Sequence, residues 1–144
     1  MGSANASMET IGSINFEWVG PRYVRSKSSG ELQEGETGLF LDAVEARVKD
    51  EPYFLWEVDV SDLTGMDAAA RRVCADHLRR LPDRAIAVVG GRFAQTILVK
   101  LVLTAVSMLD RSQRNNQVSF FPNSEAASVW LNEYAKNYKP LKKK

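Results

Sequence analysis

The chain has 144 residues, and its 19 Lys and Arg against 18 Asp and Glu give a formal net charge of +1. A single domain of this size can bury one core, and the balanced charge argues against a nucleic-acid binder. The only cysteine is Cys74 and the only histidine is His77, so the chain cannot form an internal disulfide and has no Cys/His set for a metal. We therefore expect no cofactor and a reducing, cytoplasmic compartment.

Both ends of the chain differ in composition from its middle. Residues 1–13 indicate a disordered leader or tag, because Met1–Ser7 are small and polar and lack the apolar core of a signal peptide. Residues 139–144 indicate a solvated basic tail, with a nuclear or phosphate-binding role for its last three lysines as an alternative. We predict one domain over residues 14–138.

The first half of that domain begins with a hairpin. Residues Asn15–Val19 and Tyr23–Lys27 alternate in polarity around a Gly-Pro-Arg turn. A helix is predicted over Glu36–Lys49 from its apolar spacing. A buried strand then ends near Val60, and a tight polar loop is predicted to follow it.

A helix is predicted to open at Asp67 and run to Leu81, with Asp67 as its N-cap. Cys74 falls on the apolar stripe of this helix, and His77 lies beside the stripe. We interpret both as packed side chains, although a lone histidine can also act as a base.

The second half alternates strands and helices. The strand Ala85–Val89 has no polar position, as in a central strand covered on both faces. It should lie between the strand ending at Val60 and the strand at Val118–Phe121. Helices are predicted over Phe93–Leu109 and Ser124–Tyr138. The pattern predicts an α/β fold with a mixed, mainly parallel sheet of about five strands, an N-terminal hairpin and four packed helices.

The helix over Phe93–Leu109 is apolar almost all round. It is about 17 residues long with Lys100 at its centre, which argues against a membrane span of roughly 20 uncharged residues. Three environments remain open for it: burial in the monomer, a self-association or partner surface, and one wall of an apolar ligand pocket.

Candidate functional residues follow two of the predicted strands. Open α/β sheets place their sites at the carboxyl edge, so a partner or switch loop is predicted at Asp59, Ser61, Asp62, Thr64 and Asp67. The alternative is that these side chains only satisfy turn and cap hydrogen bonds.

Gly90, Gly91 and Arg92 form a second candidate, for binding an anion or another ligand. Two glycines before a helix can turn backbone amides toward a phosphate. A turn that needs positive φ is the alternative. Neither candidate is predicted to be catalytic, because a Ser/His or Cys/His nucleophile system lacks parts in this sequence.

The order of the motifs resembles a known family. The string Val58–Asp67 is similar to the switch loop of STAS domains (sulfate transporter and anti-sigma factor antagonist), in particular the SpoIIAA-like branch. The resemblance covers roughly residues 16–138. Its other motifs, in chain order, are Ser29–Leu32, Arg84–Val89, the apolar helix, Val118–Phe121 and Glu125–Leu131.

This resemblance implies a STAS-like fold and a regulatory module that binds proteins such as a kinase or an anti-sigma-like protein, in some relatives as a homodimer. In the sporulation-type relatives a phosphorylatable serine follows the aspartate that matches Asp67. Here Ala68 stands at that position, so the usual phosphorylation is not expected. The alternative function is a small carrier or sensor with an apolar, lipid-like ligand against helix 93–109.

Overall fold

A computed structural model of the protein describes residues 8–109 and 116–140. Within these ranges the chain alternates strands and helices after an initial β-meander. The elements are β1 (Glu9–Ile11), β2 (Ile14–Gly20), β3 (Tyr23–Leu32), α1 (Glu34–Val48), β4 (Tyr53–Met66), α2 (Ala68–Arg80), β5 (Asp83–Val89), α3 (Phe93–Leu109), β6 (Asn116–Phe121) and α4 (Ser124–Asn137).

The strands form one sheet whose spatial order is the order of the sequence, β1-β2-β3-β4-β5-β6. The first three strands are antiparallel, and β3 to β6 are parallel. The predicted mainly parallel sheet is confirmed, with β5 between β4 and β6. The described residues add a sixth strand, β1, which lies inside the predicted leader and pairs with β2. Residues 1–7 and 141–144 of the predicted leader and tail lie outside the described ranges.

Helices cover both faces of the sheet unequally. The helices α1, α2 and α3 connect successive parallel strands and pack on one another, and the larger core cluster lies beneath them. Among residues 8–109 and 116–140, helix α4 alone covers the other face over β4, β5 and β6. Successive side chains of β4 point to opposite faces of the sheet. Phe54 and Trp56 therefore pack in the larger core cluster beneath α1, α2 and α3, and Leu55 packs in the cluster beneath α4.

The prediction of a tight polar loop after Val60 is wrong, because strand β4 continues through this stretch. Residues 61–66 continue the strand to Met66 and pair in parallel with Ser29–Leu32 of β3. Two register shifts accommodate the turn-forming residues of this stretch. The prediction was wrong because β3 extends five residues beyond the predicted Lys27 and supplies the backbone partners that a loop would lack.

Helix α3 occupies the predicted range and has two different faces. Val102 is buried in the core, with Leu98 and Val99 packed against the same cluster. On the outer face Phe93, Ile97 and Leu101 are 81%, 42% and 49% exposed. Burial in the monomer therefore accounts for one side of this helix only.

Candidate interaction surface

The two candidate segments lie side by side at the carboxyl edge of the sheet. Asp59 of β4 pairs with Val89, the last residue of β5. Two residues later Ser61 lies against Gly90, where an added Cβ would be 3.0 Å from the Cβ of Ser61. Gly90 has a φ of 74°, a conformation that glycine adopts without the steric cost of a side chain. The extension of β4 thus projects past the end of β5, next to the start of α3.

Asp59 organises the backbone at this edge. Its Oδ1 accepts hydrogen bonds from the Ser61 backbone N–H at 2.9 Å and from the Ser61 hydroxyl at 2.6 Å. This local pattern is typical of Asp in turns. The Ser61 hydroxyl is exposed but already bonded to a carboxylate, so an added phosphate would lie beside a like charge.

Asp62 and Thr64 are exposed on the same extension of β4. Asp62 forms an ion pair with Lys27 of β3, with an Nζ to Oδ2 distance of 3.2 Å. The hydrogen bond to Asp62 raises the pKa of the Lys27 ammonium group, with a further contribution from the charges of Asp62 and Asp59. Such an exposed pair adds little stability, and its carboxylate remains accessible to a partner.

Asp67 is the N-cap of α2, which confirms its predicted structural role. Its Oδ1 accepts a hydrogen bond from the Ala70 backbone N–H at 2.7 Å. Ala68, the position at which the resembling family carries a serine, is the exposed first residue of the helix. The position is accessible, but the hydroxyl is absent from this chain.

The glycine turn after β5 is less suited to an anion than its composition indicates. The Gly90 N–H donates to the Phe121 carbonyl at 3.1 Å, and the Arg92 N–H donates to Gln95 Oε1 at 2.9 Å. Two of the three amides of the segment are therefore engaged with the protein. A Cβ on Gly90 would also lie 3.4 Å from Asp59 Oδ1, so a carboxylate lies close to this turn and would repel an anion bound there.

Gln95 is a linking residue that the sequence analysis did not identify. Its side chain joins the two edge segments, because Nε2 donates to the Leu63 carbonyl at 2.9 Å while Oε1 accepts from Arg92. The start of α3 is thereby fixed to the extension of β4. A glutamine three residues after Arg92 is a capping pattern and could have been read from the sequence.

An exposed apolar stripe begins at this edge. Phe93, Ile97 and Leu101 recur every four residues on the outer face of α3 and span about 12 Å along the helix axis. We refer to Ser61, Asp62, Thr64, Gly91 and Arg92, all exposed, as the rim surface, and to Phe93, Ile97 and Leu101 as the α3 stripe. Together they place polar groups beside a large exposed aromatic ring, a composition found at protein interfaces.

On the opposite face of the sheet, Glu57 forms a buried polar cluster beneath α4. The Tyr23 hydroxyl donates to its Oε1 at 2.8 Å, and the Ser124 hydroxyl donates to its Oε2 at 2.6 Å. Arg25 Nε lies 3.2 Å from Oε2. Burial, followed by the hydrogen bond to Glu57, raises the pKa of Tyr23. Glu57 is 2% exposed, and its carboxylate joins β3, β4 and α4.

His77 is packed between α1 and α2, as predicted for a structural side chain. Its Nδ1 lies 2.9 Å from the Val73 carbonyl and its Nε2 lies 2.7 Å from Asp42 Oδ1. Glu45 completes a group of three potential metal ligands whose atoms lie within 4.8 Å of one another. However, Glu45 also pairs with Arg80 at 3.3 Å. These contacts explain the group as a link between two helices.

An apolar pocket of about 100 Å³ lies inside the helical layer, between the sheet and α1, α2 and α3. Helix α3 contributes four of its lining residues, Leu98, Val99, Val102 and Leu103. Thr37 of α1 also lines the pocket; it is 3% exposed, and its Oγ1 has no hydrogen-bond partner among the described residues. An unpaired buried hydroxyl costs about 1–3 kcal/mol.

The fold resembles that of other solved proteins. One is an uncharacterised protein of the DUF3478 family with a SpoIIAA-like fold from Shewanella loihica PV-4. It is 16% identical, with a TM-score of 0.59 over 91% of this chain and 98% of that one. The fold is SpoIIAA-like.

A second solved structure agrees with this assignment. It is the anti-sigma factor antagonist SpoIIAA in its unphosphorylated form, 10% identical, with a TM-score of 0.55 over 87% of this chain and 99% of that one. No family model matches the sequence, and no curated protein matches it. The comparisons therefore establish the fold, as the sequence resemblance implied.

Among the described residues, no helix has both the length and the apolarity needed to cross a membrane.

Proposed function

We propose that this protein is a non-catalytic regulatory module that binds a protein partner through the rim surface and the α3 stripe. The observation that carries the proposal is the exposure of Phe93 at 81%, directly after the exposed Arg92, at the start of the helix that Gln95 ties to β4. Burying a Phe side chain contributes about 1.5–3 kcal/mol, and aromatic anchors with a polar rim are typical of binding sites.

The SpoIIAA-like fold supports a partner of the kinase or anti-sigma type, since one structural neighbour is an anti-sigma factor antagonist. A second copy of the chain is the other protein partner that the α3 stripe suits. In this proposal binding is not switched by phosphorylation after Asp67, because Ala68 has no hydroxyl. The module acts in the cytoplasm.

The test is affinity capture from cells of the source organism with the full chain as bait. Phe93→Glu places a charge in the α3 stripe, and Asp62→Lys reverses a charge of the rim surface. Val129→Glu is the matched control, because Val129 is 66% exposed on α4, on the opposite face of the sheet. We expect wild type and Val129→Glu to recover the same partner and the other two variants to lose it at least tenfold.

Sedimentation of the same four proteins separates self-association from binding to another protein. A dimer that Phe93→Glu dissociates and Val129→Glu preserves identifies the partner as a second copy. Equal recovery of every partner by all four proteins, together with equal sedimentation, would contradict the proposal.

A second candidate function is a small carrier or sensor, and the pocket beneath α3 favours it. Its lining is apolar apart from the hydroxyl-bearing Thr37 and Ser28, the Met66 thioether, the Trp56 indole N–H, which donates to Ser26, and the Cys74 thiol. Burial raises the pKa of that thiol to about 12, so it is neutral at physiological pH. Native mass spectrometry after gentle purification tests this second function. A small molecule that remains bound to the protein supports it, and a protein with no bound molecule contradicts it.

A further inference from the structure

His77 faces a hydrogen-bond acceptor with each of its two ring nitrogens. Nδ1 lies 2.9 Å from the Val73 carbonyl, and Nε2 lies 2.7 Å from Asp42 Oδ1. A carbonyl oxygen and a carboxylate oxygen can only accept, so a neutral ring satisfies one of these two contacts and leaves the other without a proton. When Nδ1 carries the proton, the Nε2 lone pair points at a carboxylate. A cation must then lie between them, either a second proton or a metal ion.

This arrangement is typical of a histidine that binds a metal through Nε2. Histidine ligands almost always donate their other ring N–H to a backbone carbonyl, a carboxylate or water, which fixes the tautomer and the orientation of the ring. Here the acceptor is the Val73 carbonyl, one turn earlier in α2. His77 is also 8% exposed, so packing holds the ring in place. Nε2 is therefore the ring nitrogen that is directed toward α1 and available to an ion.

Helix α1 supplies two further ligands. Asp42 and Glu45 are three residues apart in α1 and so lie on one face of the helix. Their carboxylates and the His77 ring offer ligand atoms that lie within 4.8 Å of one another. Helix bundles build metal sites in the same way, from side chains of facing helices. The sequence contains no Cys/His set for a metal, and only the packing of α1 on α2 brings these carboxylates to the histidine.

The three side chains can close on an ion by small movements of their accessible members. Two ligand atoms on a tetrahedral Zn²⁺ lie about 3.3 Å apart, given bonds of about 2.0–2.1 Å. Asp42 Oδ1, now 2.7 Å from Nε2, would move outward by about 0.6 Å to reach this separation, and its side chain is 65% exposed. Glu45 would leave Arg80, which lies 3.3 Å away. An accessible ion pair of this kind contributes little stability.

We propose that His77, Asp42 and Glu45 bind a divalent transition-metal ion of the Zn²⁺ class, with water at the fourth position. Two carboxylates and a neutral imidazole balance the charge of the ion. The imidazole nitrogen selects Zn²⁺ over Mg²⁺ and Ca²⁺, which prefer oxygen ligands. The bound ion joins α1 to α2. None of the three ligands belongs to the rim surface or the α3 stripe, so this inference is independent of protein binding there.

Calorimetric titration of the full chain with ZnCl₂ tests the site, after a chelator has removed metal and with no added histidine tag. We expect one ion per chain and no binding of MgCl₂ at the same concentrations. Asp42→Asn and Glu45→Gln should each weaken Zn²⁺ binding at least tenfold, and His77→Gln at least a hundredfold. Asp76→Asn is the matched control and should keep the wild-type affinity, because Asp76 is a carboxylate of α2 that pairs with Arg79.

NMR of the imidazole nitrogens locates the ion, because His77 is the only histidine of the chain. Zn²⁺ should shift the Nε2 signal much more than the Nδ1 signal, since Nδ1 keeps its proton and its bond to Val73. The Asp42 variant changes an exposed side chain, so the test remains decisive if His77→Gln does not fold.

Four results would overturn the proposal. They are a wild type that does not saturate with Zn²⁺, Zn²⁺ binding that leaves the histidine ring signals unchanged, equal binding of Mg²⁺, and wild-type affinity in folded Asp42→Asn and Glu45→Gln proteins. Capture of a protein partner by wild type succeeds or fails separately from all four.

Discussion

Ser61 of β4 lies against Gly90, the residue that follows β5, and this approach fixes the two edge segments next to each other. A Cβ on Gly90 would be 3.0 Å from the Ser61 Cβ and 3.7 Å from its Cα. The extension of β4 beyond the end of β5 depends on this narrow gap. The rim surface is therefore held by strand pairing and close packing, in contrast to a free loop.

Replacing Gly90 should cost more than replacing another glycine of the same backbone conformation. Gly90→Ala places a Cβ at a φ of 74°, which costs about 1–2 kcal/mol, and also presses it on Ser61. Gly30 is the matched control, because its φ is 69° and a Cβ there meets nothing within 4 Å. Denaturant unfolding should show a larger loss in the free energy of unfolding for Gly90→Ala than for Gly30→Ala. Equal losses would mean that the backbone at Ser61 accommodates the added Cβ without strain.

Asp67 should contribute to the stability of the protein as the N-cap of α2. Asp67→Ala removes the acceptor for the Ala70 N–H and should lower the free energy of unfolding by about 1 kcal/mol. Asp67→Asn keeps an oxygen acceptor and should lose only a few tenths. Asn123→Ala removes the equivalent cap of α4, and its loss in the free energy of unfolding is the reference for the loss in Asp67→Ala. An unchanged free energy of unfolding in Asp67→Ala would show that this cap hydrogen bond does not stabilise the protein.

The Glu57 cluster should be sensitive to loss of its acceptor. Glu57→Ala leaves the buried Tyr23 hydroxyl and the partly buried Ser124 hydroxyl without their carboxylate and should lower the free energy of unfolding by about 1–3 kcal/mol. Glu57→Gln retains a side-chain carbonyl and should recover part of this loss. If both variants unfold at the same denaturant concentration as wild type, the cluster does not join α4 to the sheet energetically.

Stability should fall at alkaline pH. Burial raises the pKa of Cys74 to about 12, and burial with the hydrogen bond to Asp83 raises the pKa of Tyr138 to about 12. In the unfolded chain these groups titrate near 8.5 and 10. The folded state therefore holds their protons more tightly than the unfolded chain does. The contribution of these two groups to the free energy of unfolding is fully present below about pH 8.5 and is lost as the pH rises toward 12.

Unfolding in urea at several pH values from 7 to 11 measures this decline. Tyr138→Phe should show a shallower loss above pH 10, and Cys74→Ala a shallower loss above pH 8.5. Each variant is compared with its own stability at pH 7, which removes the effect of the lost side chain itself. A variant with the wild-type pH dependence would show that its group does not titrate differently in the folded state.

Local patterns in the sequence predicted the parallel half of the fold well. Helix α3 has the predicted bounds, and the uninterrupted apolar run of β5 correctly predicts its place between two other strands. Asp67 was recognised as a cap because capping depends on neighbours in the sequence. The resemblance to SpoIIAA-like proteins added the overall order of the elements.

Other features depend on partners that are distant in the sequence. Residues 61–66 contain turn formers, and only their pairing with Ser29–Leu32 makes them a strand. The role of Glu57 depends on Ser124, which lies 67 residues away. The pocket at Thr37 depends on the packing of three helices on the sheet, which no local pattern specifies.

Site-specific photo-crosslinking tests the central claim most directly. A photoreactive phenylalanine analogue is placed at Thr64, on the rim surface, or at Val129, on the opposite face, and the full chain is irradiated in cells of the source organism. The proposal predicts a discrete protein adduct from position 64, either a second copy or another protein, and none from position 129. Adducts from position 129 alone, or from neither position, would contradict binding at the rim surface.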